Sequence, residues 1–257
     1  MSDKHIIIGL GGTGGNVIKN FRQQIVEKYG DIQVDVLNDI EFLYIDSKQS
    51  EFDDDKWEYQ GADIKLFGES NLEIKAGVLK DKLSNYSNRP EFLGDDSDWG
   101  DILLDKELVK KAGNQMRRLG RVNLIDNIDR IIAIIWTKYI QLTNNTNSKL
   151  QIHIIAGLAG GTGSGSIIDV TANLLKKFEN LSAQVSVNLY LKIPELQVPK
   201  GWGGQFTGTN KNISFYQING YAALKEINGL ATGAFNPHDI TKKRDKIQTN
   251  NLIQSIY

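Results

Sequence analysis

Apolar and polar positions alternate along the chain in two rhythms. Short apolar runs read as buried strands. Longer stretches repeat every three or four residues and read as helices. The first run, residues 5–8, is His-Ile-Ile-Ile. A helix is expected from about Gly15 to Tyr29, with Val17, Phe21 and Ile25 on one face. Glu41–Ile45 reads as a second strand ending at Asp46, and Gln151–Ala156 as a third. Val185–Leu191 alternates like a strand with one more polar face. Residues 115–142 carry helical spacing through Leu119, Ile125, Ile128, Ile132, Trp136 and Tyr139, broken by Asn144–Ser148. Another helix follows the third strand, with Ile167, Leu174 and Phe178 on one side, and a further one spans Gly220–Leu230. Between them, residues 51–101 are polar and acidic and predict surface loops with one helix near 72–84. Gly201–Gly208 predicts a flexible loop. Strands alternating with helices imply an α/β fold with a parallel sheet covered on both faces. Right-handed crossovers then bring the strand-to-helix loops to one edge, where such sheets bind ligands.

Two of those loops are near-copies. Ile6-Ile7-Ile8-Gly9-Leu10-Gly11-Gly12-Thr13-Gly14-Gly15-Asn16 closes the first strand, and Ile154-Ile155-Ala156-Gly157-Leu158-Ala159-Gly160-Gly161-Thr162-Gly163-Ser164-Gly165 closes the third. Glycine lets a backbone turn sharply and approach phosphate oxygens. The helix behind it offers free N–H groups and the positive end of its dipole. The pair predicts a phosphate cradle closed from two sides; the plain alternative is two tight turns. The first loop also fits Gly9-x-Gly11-x-x-Gly14. A dinucleotide fold wants an acid about 20 residues further on, whereas Asp46 lies 46 − 14 = 32 positions after Gly14. No Gly-Lys-Ser or Gly-Lys-Thr occurs, so the P-loop reading lacks its lysine.

Composition narrows the remaining chemistry. The 257 residues suit one large domain, or a domain with a small appendage. Net charge is 30 − 31 = −1, which predicts neither nucleic acid nor an anionic membrane as partner. There is no cysteine, hence no disulfide and no thiolate chemistry. No signal-peptide pattern or membrane-length apolar run is present, and a cytoplasmic protein is expected. The three histidines, His5, His153 and His238, lack metal-site spacing, and His5 and His153 read as structural; no dedicated metal site is expected. Asp53–Asp55 and Asp95–Asp98 read as solvated loops. Gly163-Ser164-Gly165 lacks the pattern of a hydrolase elbow, and Trp202 sits in a glycine loop as either a partner contact or edge packing.

Gly160–Gly165 resembles the signature loop of the tubulin/FtsZ superfamily. Gly9–Asn16 resembles its first loop, Tyr44-Ile45-Asp46-Ser47 its strand-end loop, and Ala112-Gly113-Asn114 the loop that senses the terminal phosphate. Asn219-Gly220-Tyr221-Ala222-Ala223-Leu224 resembles the helix whose asparagine reads guanine. The likeness covers roughly residues 4–230 and is nearest to divergent bacterial tubulin-like proteins, which share the helix beginning near Gln115–Arg121. It implies a Rossmann-like parallel sheet with helices on both faces: a nucleotide-binding domain over residues 1–231 and a polar tail over 232–257 leading toward an absent central helix and second domain.

The resemblance implies GTP or GDP with Mg2+. Gly11, Gly12 and Thr13 would meet the α and β phosphates, with Asn16 near the base or sugar. Gly160, Gly161, Thr162, Gly163 and Ser164 would embrace β and γ, Asp46 would lie near the nucleotide, and Ala112, Gly113 and Asn114 near the γ phosphate. Glu195 would bond the ribose, the alternative being a surface acid. Asn219 would bond guanine, the alternative being a helix cap. Arg117, Arg118 and Arg121 would either neutralise phosphate or face solvent. Lys48 stands where the family usually has an acid, and the acidic loop that completes catalysis in a neighbouring subunit is not found, so the catalytic residues stay unassigned. The expected function is a GTPase completed by self-association, weak alone. The alternatives are an assembly module without efficient hydrolysis and, more remotely, a dinucleotide oxidoreductase.

Overall fold

The computed structural model describes residues 3–74, 116–143, 148–181, 183–197, 215–237, 247 and 253–257. Ala112, Gly113, Asn114, Trp202, His238 and the loop Gly201–Gly208 lie outside them, as does the expected 72–84 helix beyond residue 74. Strand β1 (Lys4–Leu10) leads into helix α1 (Gly11–Tyr29), then β2 (Ile40–Asp46), a small hairpin of β3 (Glu58–Tyr59) and β4 (Ala62–Asp63), and β5 (Asn71–Glu73). Helices α2 (Arg117–Ile125) and α3 (Ile128–Thr143) follow. Then come β6 (Leu150–Gly157), α4 (Thr162–Lys177), β7 (Val185–Lys192), α5 (Phe215–Ala231) and β8 (Ile253–Ile256).

Six strands form one sheet in the order β5-β2-β1-β6-β7-β8, and each adjacent pair is parallel. Counted along the chain, that is the 3-2-1-4-5-6 order of a doubly wound fold. It is the parallel α/β sheet that the alternation predicted, of the Rossmann-like type that the resemblance implied. β1 and β6 lie side by side at the switch point, in a register that pairs Leu10 with Ala156. The two glycine loops therefore leave the same sheet edge from adjacent strands.

Strand alternation sorts β2 between two buried clusters. Phe42 and Tyr44 pack with Ile18 and Val26 of α1 and with Phe52, Trp57, Ile64 and Leu66 of the hairpin region. Leu43 and Ile45 point the other way, into the larger cluster that holds α2, α3, α4 and α5. Within that cluster α4 is buried on every side from Thr162 to Leu175. No helix among the described residues is long and apolar enough to cross a membrane.

Several expectations change. Helix α1 starts at Gly11, four residues early, so its glycines form the first turns. Its buried stripe runs through Gly14, Gly15, Ile18, Arg22, Ile25 and Val26, which leaves Val17 outside, 41% exposed. The reason is Tyr44: a Cβ at Gly15 would stand 2.3 Å from its ring, so α1 turns its glycine side to the sheet. The stretch 115–142 divides into two helices at Asp126-Asn127. Residues 71–73 form a strand beside β2 where the pattern predicted the start of a helix. β8, within the segment read as a polar tail, adds to the sheet next to β7.

Candidate functional site

The site is built where the C-terminal ends of β1, β2, β6 and β7 meet. Gly11 begins α1 with φ +67°, a conformation that L side chains rarely adopt. It lies against the other loop: a Cβ on Gly11 would stand 2.9 Å from the Gly163 nitrogen, and one on Gly163 would stand 2.7 Å from the Leu10 carbonyl oxygen. Thr13 packs its side chain on Gly157. The two loops thus touch backbone to backbone. By contrast, nothing lies within 4 Å of the Cβ position at Gly12 or Gly160. These two glycines open outward from the joined loops.

Neither helix behind the loops is capped. α1 and α4 have no side-chain cap hydrogen bond, and neither has an acid in its first turn. An α-helix leaves its first four N–H groups without intrahelical partners, and its N-terminus carries about half a positive charge. Two such ends, 19 and 16 residues of helix behind them, sit at neighbouring strands.

Side chains brace this arrangement. The Ser47 and Thr162 hydroxyls hydrogen-bond at 2.7 Å and tie the end of β2 to the second loop. Asp46 is 4% exposed; its Oδ2 accepts from the Tyr44 hydroxyl at 2.9 Å, and its Oδ1 from the Lys48 N–H at 3.1 Å. Burial raises the Asp46 carboxyl above the ordinary aspartate range, against the opposing pull of those hydrogen bonds. Burial, then the nearby Asp46 charge, pushes the Tyr44 phenol up. Lys48 points outward and pairs with Glu51 at 3.2 Å.

Of the arginines of α2, Arg118 is exposed, whereas Arg117 and Arg121 are half-buried and bonded to neighbouring helices. Arg117 Nε donates to Ser164 Oγ at 2.7 Å, its Nη2 to the Ser164 carbonyl at 3.1 Å, and its Nη1 to Glu226 of α5 at 3.2 Å. Arg121 forks onto Asp169 of α4 at 2.7 and 3.2 Å. Ser164 is fully buried beneath this joint. Asn219 lies inside α5 and is not a cap; it is 6% exposed and donates from Nδ2 to the Ala159 carbonyl of the second loop at 3.0 Å. Glu195 follows β7 at the same edge, accepts from the Tyr216 hydroxyl and pairs with Lys192 at 2.9 Å. The Tyr216 hydrogen bond, then the Lys192 contact, hold its carboxyl down to about 2. Asn16 is exposed on α1 and Thr13 half-buried. The fold thus brings Gly11, Gly12, Thr13, Asp46, Gly160, Gly161, Thr162, Gly163, Ser164, Glu195 and Asn219 to one edge, with Asn16 on the helix behind.

A family model described as "Tubulin like" matches residues 6–252. The chain belongs to the tubulin-like family. No curated protein matches it. Among solved structures the tubulin-like chain is similar in fold to CetZ from Methanosaeta thermophila, with a TM-score of 0.53 and 13% identity over 88% of this chain and 43% of that one. It also matches the GTPγS-bound protofilament of CetZ2 from Haloferax volcanii (TM-score 0.47, 16% identity, 87% and 46%). A GTPγS-form protofilament of TubZ from Bacillus thuringiensis serovar israelensis matches with a TM-score of 0.47 and 12% identity (90% and 42%). The chain spans less than half the length of each.

Sequence reasoning missed the tubulin-like site's supports: Tyr44 on Asp46, Asp169 on Arg121 and Glu226 on Arg117. Glu226 lies 109 positions from Arg117, so local spacing carries no trace of the pairing. Glu226 and Asp169 on helical stretches were the only available signal, and acids on helices are common.

Proposed function

We propose that this chain binds a nucleoside triphosphate, GTP by its tubulin-like resemblance, in the paired glycine loops. The observation that carries the reading is the pair of uncapped helix N-termini at adjacent parallel strands, joined at Gly11 and Gly163 and open at Gly12 and Gly160. Backbone N–H groups would do most of the holding, because the Thr162 and Ser164 hydroxyls already bond Ser47 and Arg117. Asn16, Asn219 and Glu195 are the proposed contacts to base and sugar, and Asn114 to the γ phosphate. The donor set fits a polyanion: amides, hydroxyls and no first-turn acid. Mg2+ would be held mainly by phosphate oxygens and water.

Hydrolysis, where it occurs, is an in-line attack of water on the γ phosphate, with positioning and charge neutralisation supplying the rate. The chain alone is proposed to be a slow GTPase that accelerates on self-association. Exposed Leu196, Ile218 and Tyr221 support an associating face, and Gln217 donating to the Leu196 carbonyl at 3.3 Å places Leu196 beside α5. Thermal melting with GTP, GDP, ATP and NAD, each with and without magnesium, tests the ligand. Stabilisation by guanine nucleotides above the others is expected, and no shift with any nucleotide refutes the reading. Turnover measured against protein concentration tests completion in trans: a steep rise is expected, and a rate per chain independent of concentration overturns it.

A further inference from the structure

We propose that Arg117 is a positioning residue for the phosphate site: it sets the first turn of α4 and ties that turn to α5 through Glu226. The inference rests on the nucleotide-binding reading above and adds to it a route by which α5 and the cradle hold one geometry.

The guanidinium is placed for this and for little else. It is the first residue of α2, its side chain is 15% exposed, and its five donors divide between two helices. Nε and Nη2 grip Ser164 at hydroxyl and carbonyl, three positions past the start of the second glycine loop's Gly161 turn. Nη1 and Nη2 hold the Glu226 carboxylate in a fork. The backbones beneath it are in contact: a Cβ on Gly165 would stand 2.1 Å from the Arg117 carbonyl oxygen, and one on Gly120 would stand 2.2 Å from the Gly161 carbonyl oxygen. A second tie runs from α5 to the same loop, Asn219 Nδ2 to the Ala159 carbonyl at 3.0 Å. The loop from Ala159 to Ser164 is therefore held at both ends by α5, once directly and once through Arg117. α5 turns Ile218, Tyr221 and Leu224 outward, so a partner that moved this helix would move the cradle with it.

Two other roles for Arg117 make different predictions. A cation that merely attracts phosphate through space would tolerate lysine, and removing the Glu226 charge beside it would tighten binding of a polyanion. A residue that only stabilises the fold would affect nucleotide affinity in proportion to melting temperature. In the positioning role, Glu226→Gln weakens nucleotide binding although it removes a negative charge, because the fork opens and the α4 turn loosens.

The experiment uses the full chain with GTPγS and GDP as probes, comparing wild type with Arg117→Lys, Arg117→Gln, Glu226→Gln and the Arg117→Gln/Glu226→Gln pair. Affinity is read by equilibrium binding, and hydrogen exchange of the 158–170 backbone is followed in the nucleotide-free state. Loss of the guanidinium and all its bonds to Ser164 and Glu226 predicts at least about a tenfold weakening for Arg117→Gln and a smaller one of the same sign for Glu226→Gln. The double variant should be no weaker than Arg117→Gln alone. Exchange across 158–170 should quicken in Arg117→Gln and in Glu226→Gln at matched melting temperature. Tighter binding by Glu226→Gln, wild-type affinity in Arg117→Lys, or unchanged exchange overturns the positioning role. Failure of wild type to bind either probe refutes the nucleotide reading itself and the role with it; a wild type that binds while Arg117→Gln and Glu226→Gln bind as tightly refutes the role alone.

Discussion

Replacing Gly120 with alanine puts the contact between α2 and the second glycine loop to a severe test. The added Cβ would lie 2.2 Å from the Gly161 carbonyl oxygen, 2.7 Å from its carbon and 3.1 Å from the Thr162 Cα. An ordinary carbon–oxygen contact is about 3.3 Å or more, so the two backbones must part by about 1 Å. All three neighbours are backbone or Cα atoms, and no rotamer change relieves the clash. Two terms oppose each other. Alanine inside a helix gains about 1 kcal/mol over glycine. Forced displacement in a packed interior costs about 1–3 kcal/mol, and toward the top of that range where the obstacle is main chain. The net expectation is a loss on the order of 1–2 kcal/mol, or a fall in melting temperature of roughly 2–8 °C for a chain of this size. Arg117 and Arg121 cross the same interface to Ser164 and Asp169, so their bonds stretch with it. Gly160→Ala is the control. It has open space at its Cβ position, so melting should stay within about 0.5 kcal/mol of wild type, while under the proposed function nucleotide affinity should fall as the methyl group takes up space meant for phosphate. Thermal melting and equilibrium nucleotide binding read both variants. A Gly120→Ala protein that melts at or above wild type would show that helix propensity wins and that α2 does not press on the loop.

Acid should weaken the fold through His153, whose imidazole is held down to about 4 by burial and then by His5, 3.1 Å away. The unfolded chain binds that proton near 6.5, so stability is complete above 6.5 and is lost as pH falls toward 4. A pH series of melting curves should show this slope flattened in His153→Gln, and an unchanged slope refutes it. Asp46 has the opposite sign: its carboxyl is raised in the folded state, so folding is penalised as pH climbs past the unfolded value of 3.8. Nucleotide-free Asp46→Asn should therefore be at least as stable as wild type at pH 7 and lose that advantage below pH 3.8; greater destabilisation at pH 7 than at pH 4 contradicts the burial argument. Ser47→Ala removes one partner of the buried 2.7 Å hydroxyl pair with Thr162 and should cost about 1 kcal/mol in denaturant unfolding, whereas an unchanged midpoint would mean the tie contributes nothing.

The strands and the glycine loops were legible because their information is local. Ile6, Ile8, Ile152 and Ile154 sit in short apolar runs, and each run ends in glycine. α4 was harder to read, since a helix buried all round has no polar side for periodicity to mark, and Asp169, Thr171 and Asn173 lie inside it with the aliphatics. The partners of Arg117 and Arg121 were hidden for a different reason. A basic residue near a phosphate loop has a ready local explanation, while its actual partners, Glu226 and Asp169, come from helices 109 and 48 positions away. The glycines show the limit most sharply. Gly160 and Gly165 belong to one motif and look alike in it, as Gly120 looks like an incidental helix glycine. Gly165 and Gly120 let two helices meet at their main chains, whereas Gly160 borders open space. A glycine required by a neighbour and a glycine left free for a ligand obey the same steric rule. Only the position of the neighbour separates them, and that position is set by how α2 packs on α4, not by the residues on either side. Mutating the two kinds side by side is therefore the direct way to divide scaffold from cradle within a single motif.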